Sequence, residues 1–411
     1  MNEQEYLEIL QEQIRCKKAR ELVASEVKDH IEDQAVAFEE SGMSRTAAIE
    51  AAVCEMGDPV DTGIALDRVH RPQMEWRFLL LAVGIGLIGM CMQLFWGARI
   101  TAPLYTGFGI LIMLGVYFFD YSIVGKHAAF FTFGFLILCG LALFFFGGEI
   151  RGSLMYFSIG NIRISMWNVL HLYPPIYGAY LYSLRHHNGR NLWKALLLIA
   201  IPTAFAAWLP CLSLAFSLFM ILMLMLSVAL LKGWFLGNRI RKLAILWNCA
   251  VGLPGIFLGG IYLSGRLAPY QTERIQRYFT SGVFAGNGTI PRLSEVYNQE
   301  NSTQYVIAYV TQYYGMLAGI LLVAAMAFLI YKIFRISTKQ KNQLGMMMGI
   351  GCGLSLGAQV LGYTLYNFGI VSGGMISYLP LLSYGAGGTA MTYYILGLVL
   401  SIHRYQSVIS A

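Results

Sequence analysis

The sequence predicts an all-α, polytopic membrane protein of about ten transmembrane helices, preceded by a small three-helix cytoplasmic domain. Three observations predict it. The 411-residue chain is 57% hydrophobic and only 12% charged, whereas soluble domains carry about a quarter charged residues. Apolar runs recur from Trp76 to the C-terminus, each near the ~20 residues that cross a bilayer. Ahead of them stand about seventy-five charged and polar residues, which do not have the pattern of a cleavable signal peptide.

The net charge of +7 conceals an asymmetry. Seventeen of the acidic side chains lie in residues 1–75, which are net negative, and only Asp120, Glu149, Glu273, Glu295 and Glu300 follow. None of those five falls mid-span, which argues against a carboxylate relay and hence against proton-driven transport. The seven cysteines show no CxxC spacing, so they read as small apolar fillers rather than a zinc or disulfide framework.

The prefix domain is expected over 1–72. Leu7, Leu10, Ile14, Val23, Val27 and Ile31 fall near helical spacing and predict one long helix over 3–40, ended by Ser41-Gly42. Ser44 is placed to cap a second helix. Gly57-Asp58-Pro59 closes that helix and opens a third, running to about His70, with Arg71-Pro72 as linker. Three short amphipathic helices offer little core, so this domain is expected to lean on a cytoplasmic partner or on the membrane domain. Asp29, His30, Glu32 and Asp33 read as a solvated polar face. The segment DHIEDQ…MGDPVDTGIALDRVHRP resembles the helical prefix found ahead of some bacterial permeases and sensor-like membrane proteins, which implies a docking or regulatory module.

The membrane domain is expected over 76–404, with spans near 76–96, 103–119, 128–147, 165–184, 193–209, 211–231, 243–264, 305–331, 344–366 and 376–401. With the prefix inside, roughly thirteen basic residues face the cytoplasm against about seven outside, so the positive-inside rule places both termini in the cytoplasm. Two outer loops are long, 148–164 and 265–304. The second carries Arg266, Arg274, Arg277 and Arg292, whose guanidinium forks suit a diphosphate headgroup or anchor the loop to anionic lipid. Gly345, Gly349, Gly353 and Gly357 put a smooth stripe on one face of the ninth span, for close packing within the chain or against a partner's helix.

The C-terminal run YLPLLSYGAGGTAMTYYILGLVLSIHR (378–404) resembles the end of the SEDS proteins (shape, elongation, division and sporulation), the FtsW/RodA/SpoVE group, whose last span opens on an LPF-SYGGS-like signature. Asn367-Phe368-Gly369-Ile370-Val371-Ser372-Gly373 is similar to that family's N-x-G-x-x-x-G element, Arg274-Ile275 to its loop R-I pair, and QYVIAYVTQYYGMLAGI (304–320) to its D-F-I-F-A-V-x-x-E-E-x-G-x-x-G segment. The resemblance implies a multi-pass glycosyltransferase of the bacterial plasma membrane that polymerises lipid II or a related polyprenyl-diphosphate lipid. It also implies a class B penicillin-binding protein as partner, a divalent metal if the chain is active, and no nucleic acid. An aspartate at the outer end of the eighth span would take the attacking hydroxyl's proton, while cations stabilise the leaving diphosphate.

Against that pattern, this chain has Gln304 at the aspartate's place and Gln312-Tyr313 at the E-E pair. An amide cannot serve as the base. Arg151-Gly152-Ser153-Leu154-Met155-Tyr156 replaces an N-G-A-x-R-W segment, Ser165-Met166-Trp167-Asn168 replaces Q-P-S-E, and Leu209-Pro210-Cys211-Leu212-Ser213 replaces Q-P-D-x-G. Glu300, four residues before Gln304, is the candidate for a relocated base, with Glu295 behind it; both also read as solvated loop carboxylates. The sequence thus leaves three functions in cell-wall growth, shape or division: a polymerase using Glu300, a catalytically silent lipid II-binding or regulatory scaffold, and a flippase for lipid-linked precursors.

Overall fold

The computed structural model describes residues 1–95, 101–150, 153–159, 162–185, 191–209, 212–235, 237–248, 250, 305–368 and 378–406. The chain divides into two compact units, one of residues 1–75 with 403–411 and one of residues 76–402.

The first unit opens with four helices, not three: α1 (Glu3–Gln13), α2 (Lys17–Glu40), α3 (Arg45–Glu55) and α4 (Pro59–His70). The single helix expected over 3–40 breaks because Ile14 and Cys16 are extended. Other parts of the unit satisfy the backbone groups freed there. The Arg15 N–H donates to Asp67 Oδ1 on α4 at 2.9 Å, and Arg20 Nε donates to the Ile14 carbonyl at 2.5 Å. Bending lets α1 lie on α4, where Gly63 leaves room for the Leu10 carbonyl and Gln13. Asn2 caps α1, and Asp58 caps α4 through the Val60 N–H at 2.7 Å, with Pro59 in the first turn. Ser44 precedes α3 but makes no capping bond through its side chain. Gly42, at φ +103°, ends α2 in a conformation that favours glycine. The core is small and is made of Tyr6, Leu10, Ile14, Val23, Val27, Ile31, four alanines and Val53, with Tyr405 packed on its edge.

Among its described residues, the second unit is helical apart from one small sheet. Among the described residues, six helices are long and apolar enough to cross a membrane: α5 (Trp76–Phe95), α6 (Thr101–Phe118), α8 (Ala128–Phe146), α12 (Leu212–Leu231), α15 (Met316–Thr338) and α16 (Gln343–Asn367). Between and beside them lie α7 (Ser122–Lys126), α9 (Met166–Leu170), α10 (Tyr173–Ser183), α11 (Leu192–Trp208), α13 (Arg239–Trp247), α14 (Val306–Tyr314) and α17 (Ala386–Arg404). Large apolar side chains such as Phe130 and Phe144 stand exposed, the latter by 81%. In water such a surface is an aggregation hazard; in a bilayer it is solvated by acyl chains. The protein is a multi-pass membrane protein.

The outer loop read at 148–164 is not irregular. It forms an antiparallel meander, β1 (Gly147–Ile150), β2 (Ser153–Ile159) and β3 (Ile162–Ser165), with Gly147 paired to Phe157 and Tyr156 paired to Ser165.

Three spans differ from the sequence expectation. The span at 165–184 breaks between α9 and α10, where Pro174 and Pro175 supply no N–H to continue the ladder. His171 fills the break: its Nδ1–H donates to the Trp167 carbonyl at 2.8 Å, and Nε2 accepts from Ser217 on α12 at 3.4 Å. The span at 305–331 breaks at Gly315, whose φ of +97° and ψ of 165° suit no other residue, and α15 then runs on to Thr338. The last span becomes helical only at Ala386.

The α16 helix is the hub, with 78% of its apolar window buried against 17% for the peripheral α8. It packs on α10, α12 and α15. The glycine stripe serves this packing within the chain. Gly349 lies against Ser337, Gly353 against the Phe334 ring and Gly345 against the Tyr121 hydroxyl.

Candidate functional site

The segment that resembles the family's catalytic stretch enters the described structure at Tyr305. The first turn of a helix leaves four N–H groups without intrahelical partners, and in a buried setting each needs one. Here α16 supplies partners to two of them. The Val306 N–H donates to the Tyr363 hydroxyl at 2.8 Å, and the Ala308 N–H donates to Asn367 Oδ1 at 3.2 Å. Tyr363 and Asn367 are four residues apart and so share one helix face; Asn367 Nδ2 in turn donates to the Tyr363 carbonyl at 3.0 Å. Tyr305 stacks on Tyr366, with ring centroids 5.6 Å apart and hydroxyls at 2.9 Å. The result is a clamp that holds the start of α14 at the residue following Gln304. At its other end α14 folds back on α15, with Thr311 against Gly319.

A second polar assembly is built by the C-terminal signature. Residues 378–385 form a tight turn ahead of α17, with Leu381 at φ +65° and Gly385 at φ +152°. Ser383 Oγ accepts the Leu379 N–H at 2.8 Å, closing the turn on itself. Gln93 on α5 donates to the Leu382 carbonyl at 2.8 Å, and Thr101 on α6 pairs with the Tyr384 hydroxyl at 2.6 Å. Gly89 leaves space for the Leu381 carbonyl and Gly388 for the Tyr378 ring. The Tyr378 hydroxyl meets Thr389 at 3.1 Å. The signature is therefore a hydrogen-bonded plug between α5, α6 and α17, and its serine, tyrosines and glycines hold the turn together.

The candidate residues named from sequence, Glu300 and Gln304 as catalytic and Arg266, Arg274 and Arg277 as substrate-binding, lie outside the described residues, as does Glu295. Gln312 and Tyr313 fall within α14. Among the described residues no three His, Cys, Asp or Glu side chains gather in a group that could hold a metal. Glu273, Glu295 and Glu300, the acidic residues of the loop before Gln304, lie outside the described residues. Sequence reasoning missed Tyr363, Tyr366 and Asn367 as partners of the 305–308 turn. The available signal was four hydrogen-bonding side chains in YTLYN (363–367) at the end of a largely apolar, glycine-rich span.

A bent helix clamped at its start, a polar plug and a belt of exposed apolar helices define a polytopic membrane protein with its polar groups gathered at the ends of spans. Comparison with known proteins gives the same class and refines it. The cell cycle protein family model of FtsW, RodA and SpoVE matches residues 279–408. The probable peptidoglycan glycosyltransferase FtsW of Bacillus subtilis (strain 168) is 23% identical over 294 residues, covering 66% of this chain and 72% of the relative. Stage V sporulation protein E of the same organism is 24% identical over 234 residues, covering 48% and 60%. In fold, the chain resembles the rod shape determining protein RodA of Thermus thermophilus, with a TM-score of 0.60 at 18% identity over 81% of this chain and 97% of that one. It resembles equally a chain from a peptidoglycan synthase complex that coordinates polymerization and crosslinking, with a TM-score of 0.61 at 21% identity over 80% and 98%. The chain is thus a multi-pass membrane protein with a RodA-like fold, whose residues 279–408 match the SEDS family.

Proposed function

We propose that this protein acts in bacterial cell-wall synthesis, at division or in shape maintenance, by handling a lipid II-class polyprenyl-diphosphate substrate beside the start of α14. The observation that carries this reading is the clamp of Tyr305, Val306 and Ala308 by Tyr363, Tyr366 and Asn367. It lies wholly within the stretch matched by the family model. It holds in one place the chain that leads from the substrate-facing loop into the membrane. In this reading Arg266, Arg274 and Arg277 meet the diphosphate, whose oxygens match guanidinium forks. Both termini are cytoplasmic, a class B penicillin-binding protein is the membrane partner, and the acidic prefix at 1–72 docks a cytoplasmic protein. The likeness to a peptidoglycan synthase complex chain supports a partner of that kind.

A second reading is favoured by Gln304 itself. An amide at the family's aspartate position cannot accept the hydroxyl proton, so the frame is retained for binding while polymerisation is given up, or the base has moved to Glu300. The test is lipid II polymerisation by the purified protein, with and without a co-expressed class B penicillin-binding protein, for wild type, Glu300→Gln and Gln304→Asp. Glycan chains from wild type and not from Glu300→Gln support a relocated base. Product only from Gln304→Asp supports the silent binding protein. No polymer from any form, together with no retention of lipid II by wild type, overturns both; lipid II transfer across vesicles under those conditions leaves the flippase reading standing.

A further inference from the structure

Lys232, Arg239, Arg241 and Lys242 fall within one short corner between α12 and α13, and no Asp or Glu occurs anywhere between Glu149 and Glu273. The corner is built, not merely basic. Gly233 and Gly237 turn the chain at φ of +77° and +112°. Asn238 caps α13 by accepting the Arg241 N–H at 3.1 Å. Trp247 Nε1 donates to Ser227 Oγ at 2.9 Å, pinning α13 along α12. Arg239, although exposed, folds back along the chain, its guanidinium lying beside Gly233 and donating to the Leu231 carbonyl at 3.2 Å, so it closes the end of α12.

The pinning decides which face is left outward. Leu243, Leu246 and Trp247 are half-buried, while Arg241 and Lys232 are exposed and Ile240 and Ile245 are exposed by 77% and 54%. The flank adds another cation: Arg185 at the end of α10 stacks on Tyr182 at 3.8 Å, and that ring meets Trp234 edge-on at 6.1 Å. Water solvates Arg241 and Lys232 but not two bare isoleucines, and hydrocarbon solvates the isoleucines but not the cations. A surface with both belongs at the headgroup boundary, where a basic amphipathic helix is favoured by anionic lipid.

We infer that the α12–α13 corner is a binding site for the headgroup of an anionic phospholipid, with Lys232, Arg241 and Lys242 on the phosphate and Ile240 and Ile245 against the acyl chains. The charge complementarity is one-sided, since this stretch of chain supplies no carboxylate of its own. This proposal does not rest on the lipid II reading.

The experiment is native mass spectrometry of the full-length protein in detergent, equilibrated with phosphatidylglycerol or with phosphatidylcholine. Wild type is expected to retain phosphatidylglycerol several-fold over phosphatidylcholine. Combining Lys232→Gln, Arg241→Gln and Lys242→Gln is expected to lower phosphatidylglycerol retention at least threefold and leave phosphatidylcholine unchanged. Arg239 is left in place because it closes α12. The charge-preserving pair Lys232→Arg with Arg241→Lys is expected to keep wild-type retention. Equal retention of the two lipids by wild type, or undiminished phosphatidylglycerol on the triple variant, overturns the site. If the triple variant aggregates, Arg241→Gln alone, on the exposed face of α13, gives the decisive reading, with a drop expected and no change overturning.

Discussion

The backbone N–H of Val306 donates to the hydroxyl of Tyr363 at 2.8 Å, and both residues are fully buried. Fifty-seven residues separate them, so the start of one helix is closed by the side of another rather than by its own cap. Tyr305, the residue in the N-cap position, makes no capping bond through its side chain.

Tyr363→Phe is expected to destabilise the protein by about 1–3 kcal/mol, because it leaves a buried N–H without an acceptor while the ring still fills its space. Asn367→Leu is expected to cost a similar amount, since the Ala308 N–H and the Tyr363 carbonyl both lose a partner. Thermal unfolding in detergent, followed by intrinsic fluorescence, measures both. Wild-type stability in Tyr363→Phe would show that the Val306 N–H has another partner.

Gly315→Ala is expected to cost about 1–3 kcal/mol, because an alanine there must adopt a backbone conformation essentially confined to glycine. Gly357→Ala is the control, in a similar apolar setting where the added methyl meets only Ile330 at 3.6 Å. Comparing the two melting points separates backbone strain from the effect of adding a methyl group.

Gly349→Val is expected to be more damaging than Gly357→Val, by about 1–3 kcal/mol of overpacking, because Gly349 abuts Ser337 across the α15–α16 interface. The readout is the ratio of monodisperse to aggregated protein after purification, with the unfolding temperature of whatever remains soluble. Equal behaviour of the two variants would mean that the stripe is not a packing surface.

Asp67→Ala is expected to loosen the first unit. It removes the acceptor for the Arg15 N–H at the break between α1 and α2, at a cost of about 1–3 kcal/mol. In a core this small that is a large share of the stability. Limited proteolysis of the full-length chain is expected to cut earlier between Gln13 and Lys17 in the variant, with cleavage elsewhere unchanged.

The membrane class, the all-α character and several local helix ends were legible in the sequence, because apolar length and local caps act within a few residues. Asp58 and Pro59 start α4, and Gly42 ends α2, by chemistry that needs no distant partner. The glycine stripe of α16 was legible for the same reason, since its period marks one helix face. The break at Ile14–Cys16 was not, because it is stable only when Asp67 and Arg20 take up the freed backbone groups. The β-meander at 147–165 was not, because each strand needs its neighbour for half its hydrogen bonds. The α14 clamp was decided by tertiary structure alone: which buried hydroxyl or amide meets an open N–H depends on which helix faces lie together, and no local pattern encodes that choice.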